Sequence, residues 1–101
     1  MKFGMSDEQY ALLEKMVIAP LKSQNCTVYI FGSRATGKNH PHSDVDVLFK
    51  LPDDQVLPIG FLAKIKEDIE ESRFPFIVDI VNEAELAKSY QTSVFSSRIA
   101  I

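Results

Sequence analysis

Three aspartates stand in segments of this sequence that otherwise have the composition of buried β-strands. Asp44 and Asp46 belong to the alternating stretch DVDVLFKL, residues 44–51, and Asp79 interrupts the apolar stretch PFIVDIV, residues 75–81. A carboxylate inside such a strand destabilises the fold unless it is paired or bound to a cation. Because Asp44 and Asp46 are two residues apart, an extended backbone directs both to one face of a sheet. If the third strand lies beside the second, Asp79 joins them there.

Three carboxylates brought together repel one another, and a divalent cation relieves that repulsion. A set of ligands made only of oxygen suits Mg²⁺ or Mn²⁺. For one aspartate, a strand cap or an ion pair with a lysine is the more common explanation. For three aspartates in this arrangement, we favour a metal site formed by Asp44, Asp46 and Asp79.

A second feature lies upstream, where Gly32-Ser33 directly follows the uncharged stretch CTVYIF. Glycine allows a ligand to approach the backbone closely, and the N–H groups of a tight turn form a concavity that binds anions. Ser33 adds a hydroxyl donor, and Arg34 and Lys38 add positive charge. Ten residues, 34–43, then return the chain to Asp44. This favours an antiparallel pair of strands that places a phosphate-binding turn beside the carboxylates, as a nucleoside triphosphate with Mg²⁺ would require.

The remaining pattern predicts a single α+β domain over residues 1–101, with a small mixed sheet and helices packed on it in the order α-β-β-α-β-α. The capping-box pair Ser6 and Gln9 begins the first helix, which Pro20 is expected to end. The predicted elements are helices over 7–18, 58–72 and from Leu86 to Val94, strands over 26–31, 44–51 and 75–81, and a loop over 32–43.

Composition narrows the function. The net charge is −3 over 101 residues, which disfavours strong nucleic-acid binding. The single cysteine, Cys26, excludes an internal disulfide and a zinc site built from cysteines. No apolar run reaches 18 residues, and the N-terminus lacks the hydrophobic stretch of a signal peptide, so we expect a soluble cytoplasmic protein without membrane association.

Two rival motifs are weaker. Residues 32–38 match G-x-x-x-x-G-K, but Asn39 replaces the hydroxyl residue that a P-loop uses to bind Mg²⁺. The P-loop lysine also opens a helix, which His40-Pro41-His42 would block. The two histidines lack a third histidine, which argues against a zinc site.

Gly32-Ser33, ten residues, then Asp44-Val-Asp46 is similar to the G-S-x10-D-x-D signature of the DNA polymerase β-type nucleotidyltransferase superfamily. The chain resembles its minimal, single-domain branch, the MNT proteins, over nearly its whole length. Asp79 stands where that family places its third metal-binding aspartate.

The resemblance implies a two-metal transfer of a nucleotidyl group from ATP with loss of pyrophosphate. Asp44 and Asp46 would bind both Mg²⁺ ions (Mn²⁺ is the alternative), and Asp79 would bind the one that activates the acceptor hydroxyl. Gly32 and Ser33 would bind phosphates, and Arg34 would neutralise the departing pyrophosphate.

Minimal members of this family usually accompany a small helical HEPN protein in a toxin–antitoxin pair. The resemblance therefore implies an antitoxin that transfers AMP to a tyrosine of its partner, within a homo- or hetero-oligomer. Two alternatives stay open. The chain could be a nucleotide-binding module that neutralises its partner by occlusion, or a subunit that adenylylates a small molecule of the antibiotic type.

Overall fold

A computed structural model describes residues 2–101 and shows a four-stranded mixed sheet with helices packed against it. The strands are β1 (Thr27–Phe31), β2 (Val45–Lys50), β3 (Val78–Asn82) and β4 (Ile99–Ala100), and the helices are α1 (Asp7–Leu13), α2 (Ala19–Ser23), α3 (Ser33–Thr36), α4 (Phe61–Glu71) and α5 (Lys88–Ser97). A π-helical turn, Glu14–Ile18, joins α1 to α2, and a 3₁₀ turn, Glu83–Glu85, follows β3. The α+β fold class is confirmed.

The strand order is β3-β2-β1-β4. β1 pairs antiparallel with β2, as the short loop between them predicts, and β2 pairs parallel with β3. The parallel pair needs a crossover, and α4 supplies it. β4 was not predicted from the sequence: its two residues pair antiparallel with Tyr29 and Ile30 of β1.

The core lies on one face of this sheet. Val45, Val47 and Phe49 alternate along β2 and are all fully buried. They belong to one apolar cluster with residues of the helices, which include Leu13 of α1 and Ile65 of α4. The period of two that buries these side chains directs the intervening Asp46 to the opposite face.

The N-terminal helix begins as predicted but continues further than predicted. Ser6 Oγ accepts the backbone N–H of Gln9 at 3.1 Å, and the Gln9 side chain accepts that of Ser6 at 2.9 Å. The predicted end before Pro20 is wrong, because helical backbone continues to Ser23. The π-helical turn immediately before Pro20 widens the helix, which accommodates a residue that has no N–H and whose ring crowds the preceding turn.

Other boundaries also differ. The predicted loop 32–43 contains one helical turn, α3, and the predicted third strand is ordered as a strand only from Val78. Asn82 caps the 3₁₀ turn by accepting the N–H of Ala84 at 3.0 Å, and the last helix, predicted to begin at Leu86, begins at Lys88. No helix in residues 2–101 is long and apolar enough to span a bilayer.

Candidate active site

The aspartates converge where β2 and β3 begin. The parallel register places Asp46 directly beside Asp79, and neighbouring strands lie about 4.8 Å apart. Asp44 stands one residue before β2, two positions from Asp46 and therefore on the same side of the chain. The sequence-based prediction that the third strand would bring Asp79 to this face is confirmed as a matter of geometry.

The three carboxylates differ in exposure. Asp44 and Asp79 are exposed, whereas Asp46 is half-buried between its neighbours on β1 and β3. Burial, followed by repulsion from Asp79 and Asp44, raises the pKa of Asp46 to about 6, and the positive charge of Arg34 opposes that rise. In the absence of a metal, the fold therefore disfavours the ionised form of Asp46.

The Gly32-Ser33 turn lies against this carboxylate. β1 ends at Phe31, which is the register partner of Asp46, so Gly32 follows at the edge of the site. Gly32 has φ +74°, and a Cβ built on it would collide with Asp46 Oδ2. Glycine is therefore required here both by backbone conformation and by the close approach of a carboxylate. The next residue, Ser33, begins α3, whose first N–H groups have no partner within the helix.

The donor set fits a hard divalent cation, since it consists of carboxylate oxygens whose mutual repulsion a cation would relieve. The carboxylates do not form a closed cage, however. In the part of the chain that the structure describes, no group of three or more His, Cys, Asp or Glu side chains could hold an ion by itself. Mg²⁺ in phosphate-handling sites is commonly bound by one or two carboxylates together with substrate phosphates. The geometry suits that open arrangement.

Arg34 occupies a different place from the one that the sequence suggested. Its side chain is 2% exposed, and its guanidinium donates to backbone carbonyls. Nε and Nη2 donate to the carbonyl of Ser43 at 3.1 and 2.8 Å, and Nη1 donates to that of Phe3 at 2.9 Å. These bonds use three of the five N–H donors of the guanidinium, and the buried side chain presents little surface to a phosphate.

Sequence reasoning missed the residues that surround Arg34. Ser43 is 7% exposed, and its Oγ accepts the N–H of His40 at 2.9 Å. The ring of Phe76 lies 4.2 Å from the Arg34 guanidinium carbon. Ser43 stands directly before Asp44, which is the one sequence signal that could have marked it. His42 donates its N–H to His40 Nδ1 at 3.2 Å, a bond within the loop.

A cavity of about 440 Å³ opens beside the aspartates. Asp46 and Asp79 line it together with Lys66 and Glu70 of α4 and the exposed Ile77. β3 is an edge strand, so this cavity gives access to Asp79 from outside the sheet. A second cavity, of about 790 Å³, lies at the other end of β2 beside Lys50 and contains none of the predicted site residues.

Comparisons with known proteins identify the family and several relatives of this chain. The family model described as a nucleotidyltransferase domain matches residues 17–101. A relative from Haemophilus influenzae, named "Probable protein adenylyltransferase MntA", is 34% identical over 67 residues. The match covers 64% of this chain and 55% of the relative, so the chain corresponds to about half the relative's length.

Two solved structures share the fold. One is a crystal structure of a toxin–antitoxin with AMP-PNP, with a TM-score of 0.65 and 20% identity over 86% of this chain and 70% of that one. The other is titled as a "putative nucleotidyltransferase from Sulfolobus solfataricus", with a TM-score of 0.52 and 21% identity over 92% of this chain and 78% of that one.

Proposed function

This chain belongs to the nucleotidyltransferase domain family, and we propose from this premise that it transfers AMP from ATP to a hydroxyl group of a partner protein. One observation carries the proposal: the register that sets Asp46 beside Asp79, with the Gly32 turn against the Asp46 carboxylate. A turn with an open backbone and an acidic pair therefore lie at one point of the sheet, which supports the binding of a nucleotide together with metal ions.

The nucleotide would bind at the end of β1. The open backbone of Gly32 and the hydroxyl of Ser33 would accommodate the β- and γ-phosphates. Asp44 and Asp46 would bind Mg²⁺ or Mn²⁺ that also contacts the phosphates, and Asp79 would complete the binding of a second ion. When bound, the ions stabilise charge on the attacking and leaving oxygens of an in-line displacement.

The acceptor would approach through the cavity beside Asp79. Its hydroxyl oxygen forms a bond to the α-phosphorus of ATP, and the bond from that phosphorus to the oxygen bridging to the β-phosphorus breaks. Pyrophosphate leaves with the bridging oxygen, and the hydroxyl proton passes to a carboxylate oxygen of Asp79. Asp79 suits this role because it is exposed at the cavity, whereas Asp46 is half-buried.

We place the acceptor hydroxyl on a tyrosine of a helical HEPN-type partner in a toxin–antitoxin pair. Three findings support this assignment: the G-S-x10-D-x-D resemblance, the name of the Haemophilus influenzae relative as a protein adenylyltransferase, and the fold shared with a toxin–antitoxin crystal structure.

The test uses the purified chain, a candidate helical HEPN-type partner protein, Mg²⁺ and ATP labelled at either the α- or the γ-phosphate. Transfer of AMP puts the α-label on the partner and leaves the γ-label in pyrophosphate. Asp46→Asn and Asp79→Asn should each lower the rate of α-label transfer by several powers of ten. Each substitution removes several kcal/mol of metal-assisted stabilisation of the transition state. Asp53→Asn is the matched control, since Asp53 is exposed in the loop after β2.

Two results would contradict the proposal. Labelling that survives in Asp46→Asn would exclude this site as the catalytic centre. A wild-type chain that neutralises its partner but transfers no α-label with Mg²⁺ or Mn²⁺ would show the occlusion mechanism instead.

A further inference from the structure

Arg34 is a buried positive charge without an ion-pair partner. Within residues 2–101, no carboxylate oxygen lies within 4 Å of its nitrogens, and its hydrogen-bond acceptors are two backbone carbonyls. Burying an arginine in this way is unfavourable unless its donors are satisfied.

The backbone carbonyl of Ser43, the residue before Asp44, accepts hydrogen bonds from both Nε and Nη2 of Arg34. Arg34 itself is the second residue of α3, directly after Ser33. One side chain therefore connects the phosphate-binding turn to the backbone that carries Asp44 and leads into β2. The planar fork fixes both distance and direction, which a single-point donor cannot do.

The other side of the guanidinium is held by the N-terminal turn, residues 2–5. Lys2 and Met5 exchange backbone hydrogen bonds of 3.1 and 2.9 Å, and Phe3 and Gly4 have φ of 55° and 75°. The carbonyl of Phe3 accepts from Arg34 Nη1 at 2.9 Å. A Cβ at Gly4 would collide with the amide of Asn39 and lie 3.0 Å from Arg34 Nη1. This turn lies outside residues 17–101, the range that the family model matches.

We propose that Arg34 is a positioning residue, held in place by the N-terminal turn, that fixes the backbone of Ser43 and Asp44 against the Gly32-Ser33 turn. The expected effect on Mg-ATP binding rests on the proposed function, whereas the effect on the backbone of Ser43 and Asp44 does not. This positioning role assigns the chain's N-terminal turn to the support of the active site. It also replaces direct neutralisation of pyrophosphate as the role of Arg34.

Four variants separate the hydrogen-bond geometry of Arg34 from its charge and from the backbone strain that a substituted glycine causes. Arg34→Gln removes the charge and the fork, and Arg34→Lys keeps the charge but cannot bridge both carbonyls. Gly4→Ala inserts a Cβ against Asn39 and Arg34 without touching the proposed ligands. Gly60→Ala is its matched control, because Gly60 has φ +80° and open space around its Cβ position.

Two readouts are taken at a temperature at which each variant is folded by circular dichroism. The first is hydrogen exchange of metal-free protein at the amides of Ser43 and Val45, which donate to His40 and Ile77 at 3.1 and 2.8 Å. The second is the Kd of Mg-ATP by calorimetry. Supporting groups of metal ligands change affinity by about 10- to 100-fold when they are lost.

We expect exchange at Ser43 and Val45 to rise at least tenfold in Arg34→Gln, Arg34→Lys and Gly4→Ala, with the Kd of Mg-ATP rising about 10- to 100-fold. Gly60→Ala should leave both unchanged. If Arg34→Lys has the exchange rates and the Kd of wild type, the assignment is overturned, because a positive charge alone would then suffice. Unchanged exchange and affinity in Gly4→Ala would overturn the role of the N-terminal turn.

The outcomes remain distinguishable from failure of the proposed function. If wild-type protein does not bind Mg-ATP, the proposed function fails, and the exchange rates of metal-free protein still decide whether Arg34 fixes Ser43. If the Arg34 variants do not fold, the exchange rates and Mg-ATP affinity of Gly4→Ala are compared with those of Gly60→Ala. Both substitutions impose the same kind of backbone strain, so a difference between them reports the contact with Asn39 and Arg34.

Discussion

Asp46→Asn should make the metal-free protein more stable at pH 8, although it removes a residue of the active site. The carboxylate of Asp46 is half-buried and faces Asp79 on the adjacent strand, so its ionised form is disfavoured in the folded state. Its pKa rises from an ordinary value of 3.8 to about 6 in the fold. The folded state therefore holds this proton more tightly than the unfolded state, and stability falls as pH rises.

The expected gain in the free energy of unfolding follows from the pKa shift of Asp46. A rise from 3.8 to about 6 corresponds to about 3 kcal/mol at pH well above 6. Because the side chain is only half-buried, solvent screening reduces this, and we expect about 1–2 kcal/mol. The destabilisation is absent below pH 4, develops between pH 4 and 6, and is complete at pH 8. Asparagine keeps the shape and cannot ionise, so it removes this destabilisation.

Urea unfolding in EDTA at pH 4, 6 and 8 gives the free energy of unfolding of wild type, Asp46→Asn and the control Asp53→Asn. The gain in Asp46→Asn should appear at pH 8 and vanish at pH 4. Excess Mg²⁺ at pH 8 should stabilise wild type and leave Asp46→Asn unchanged. An equal loss of stability in Asp46→Asn at all three pH values would refute the electrostatic reasoning and make Asp46 a structural hydrogen-bonding residue.

Three further perturbations are measurable. Gly32→Ala should weaken Mg-ATP binding at least tenfold by calorimetry, because its Cβ meets a carboxylate; Gly60→Ala, at φ +80° with open space, should keep wild-type affinity. Phe49→Ala should lower the free energy of unfolding in urea by about 3–5 kcal/mol, since Phe49 is fully buried. Arg98→Met should cost about 1–3 kcal/mol in the same assay, because it leaves the partly buried Glu83 with only a 3.9 Å contact to Lys50; a change below 0.5 kcal/mol would show that the pair is solvated.

Local patterns predicted the elements well where one short-range interaction decides the structure. The capping box at Ser6 begins α1 as expected, and the alternating stretch 44–51 contains β2. The errors arose where longer-range packing overrides a local preference. Pro20 lies within helical backbone that a π-helical turn widens, and the two residues of β4 become a strand only because β1 offers a free edge.

In the candidate site, too, local spacing predicted some features and long-range packing decided others. The spacing from Gly32 to Asp46 predicted which groups meet, because a short loop between antiparallel strands leaves few arrangements. The burial of Arg34 could not be predicted, because its partners come from the N-terminus, the residue before Asp44 and the segment before β3. The metal-binding and nucleotide-binding roles of these residues, and a single domain over residues 1–101, stay predictions.

The chemical groups of the candidate site can be identified from the order of residues alone: an acidic pair at strand spacing, a third aspartate in another apolar strand, and a glycine-serine pair ten residues upstream. These follow from side-chain chemistry and from the period of an extended chain, which are local properties. The long-range packing of the fold half-buries Asp46 beside Asp79, which raises the pKa of Asp46, and it buries Arg34 against backbone carbonyls instead of leaving it in solvent. Burial and register are set by strands and loops far apart in the chain, so no local pattern contains them.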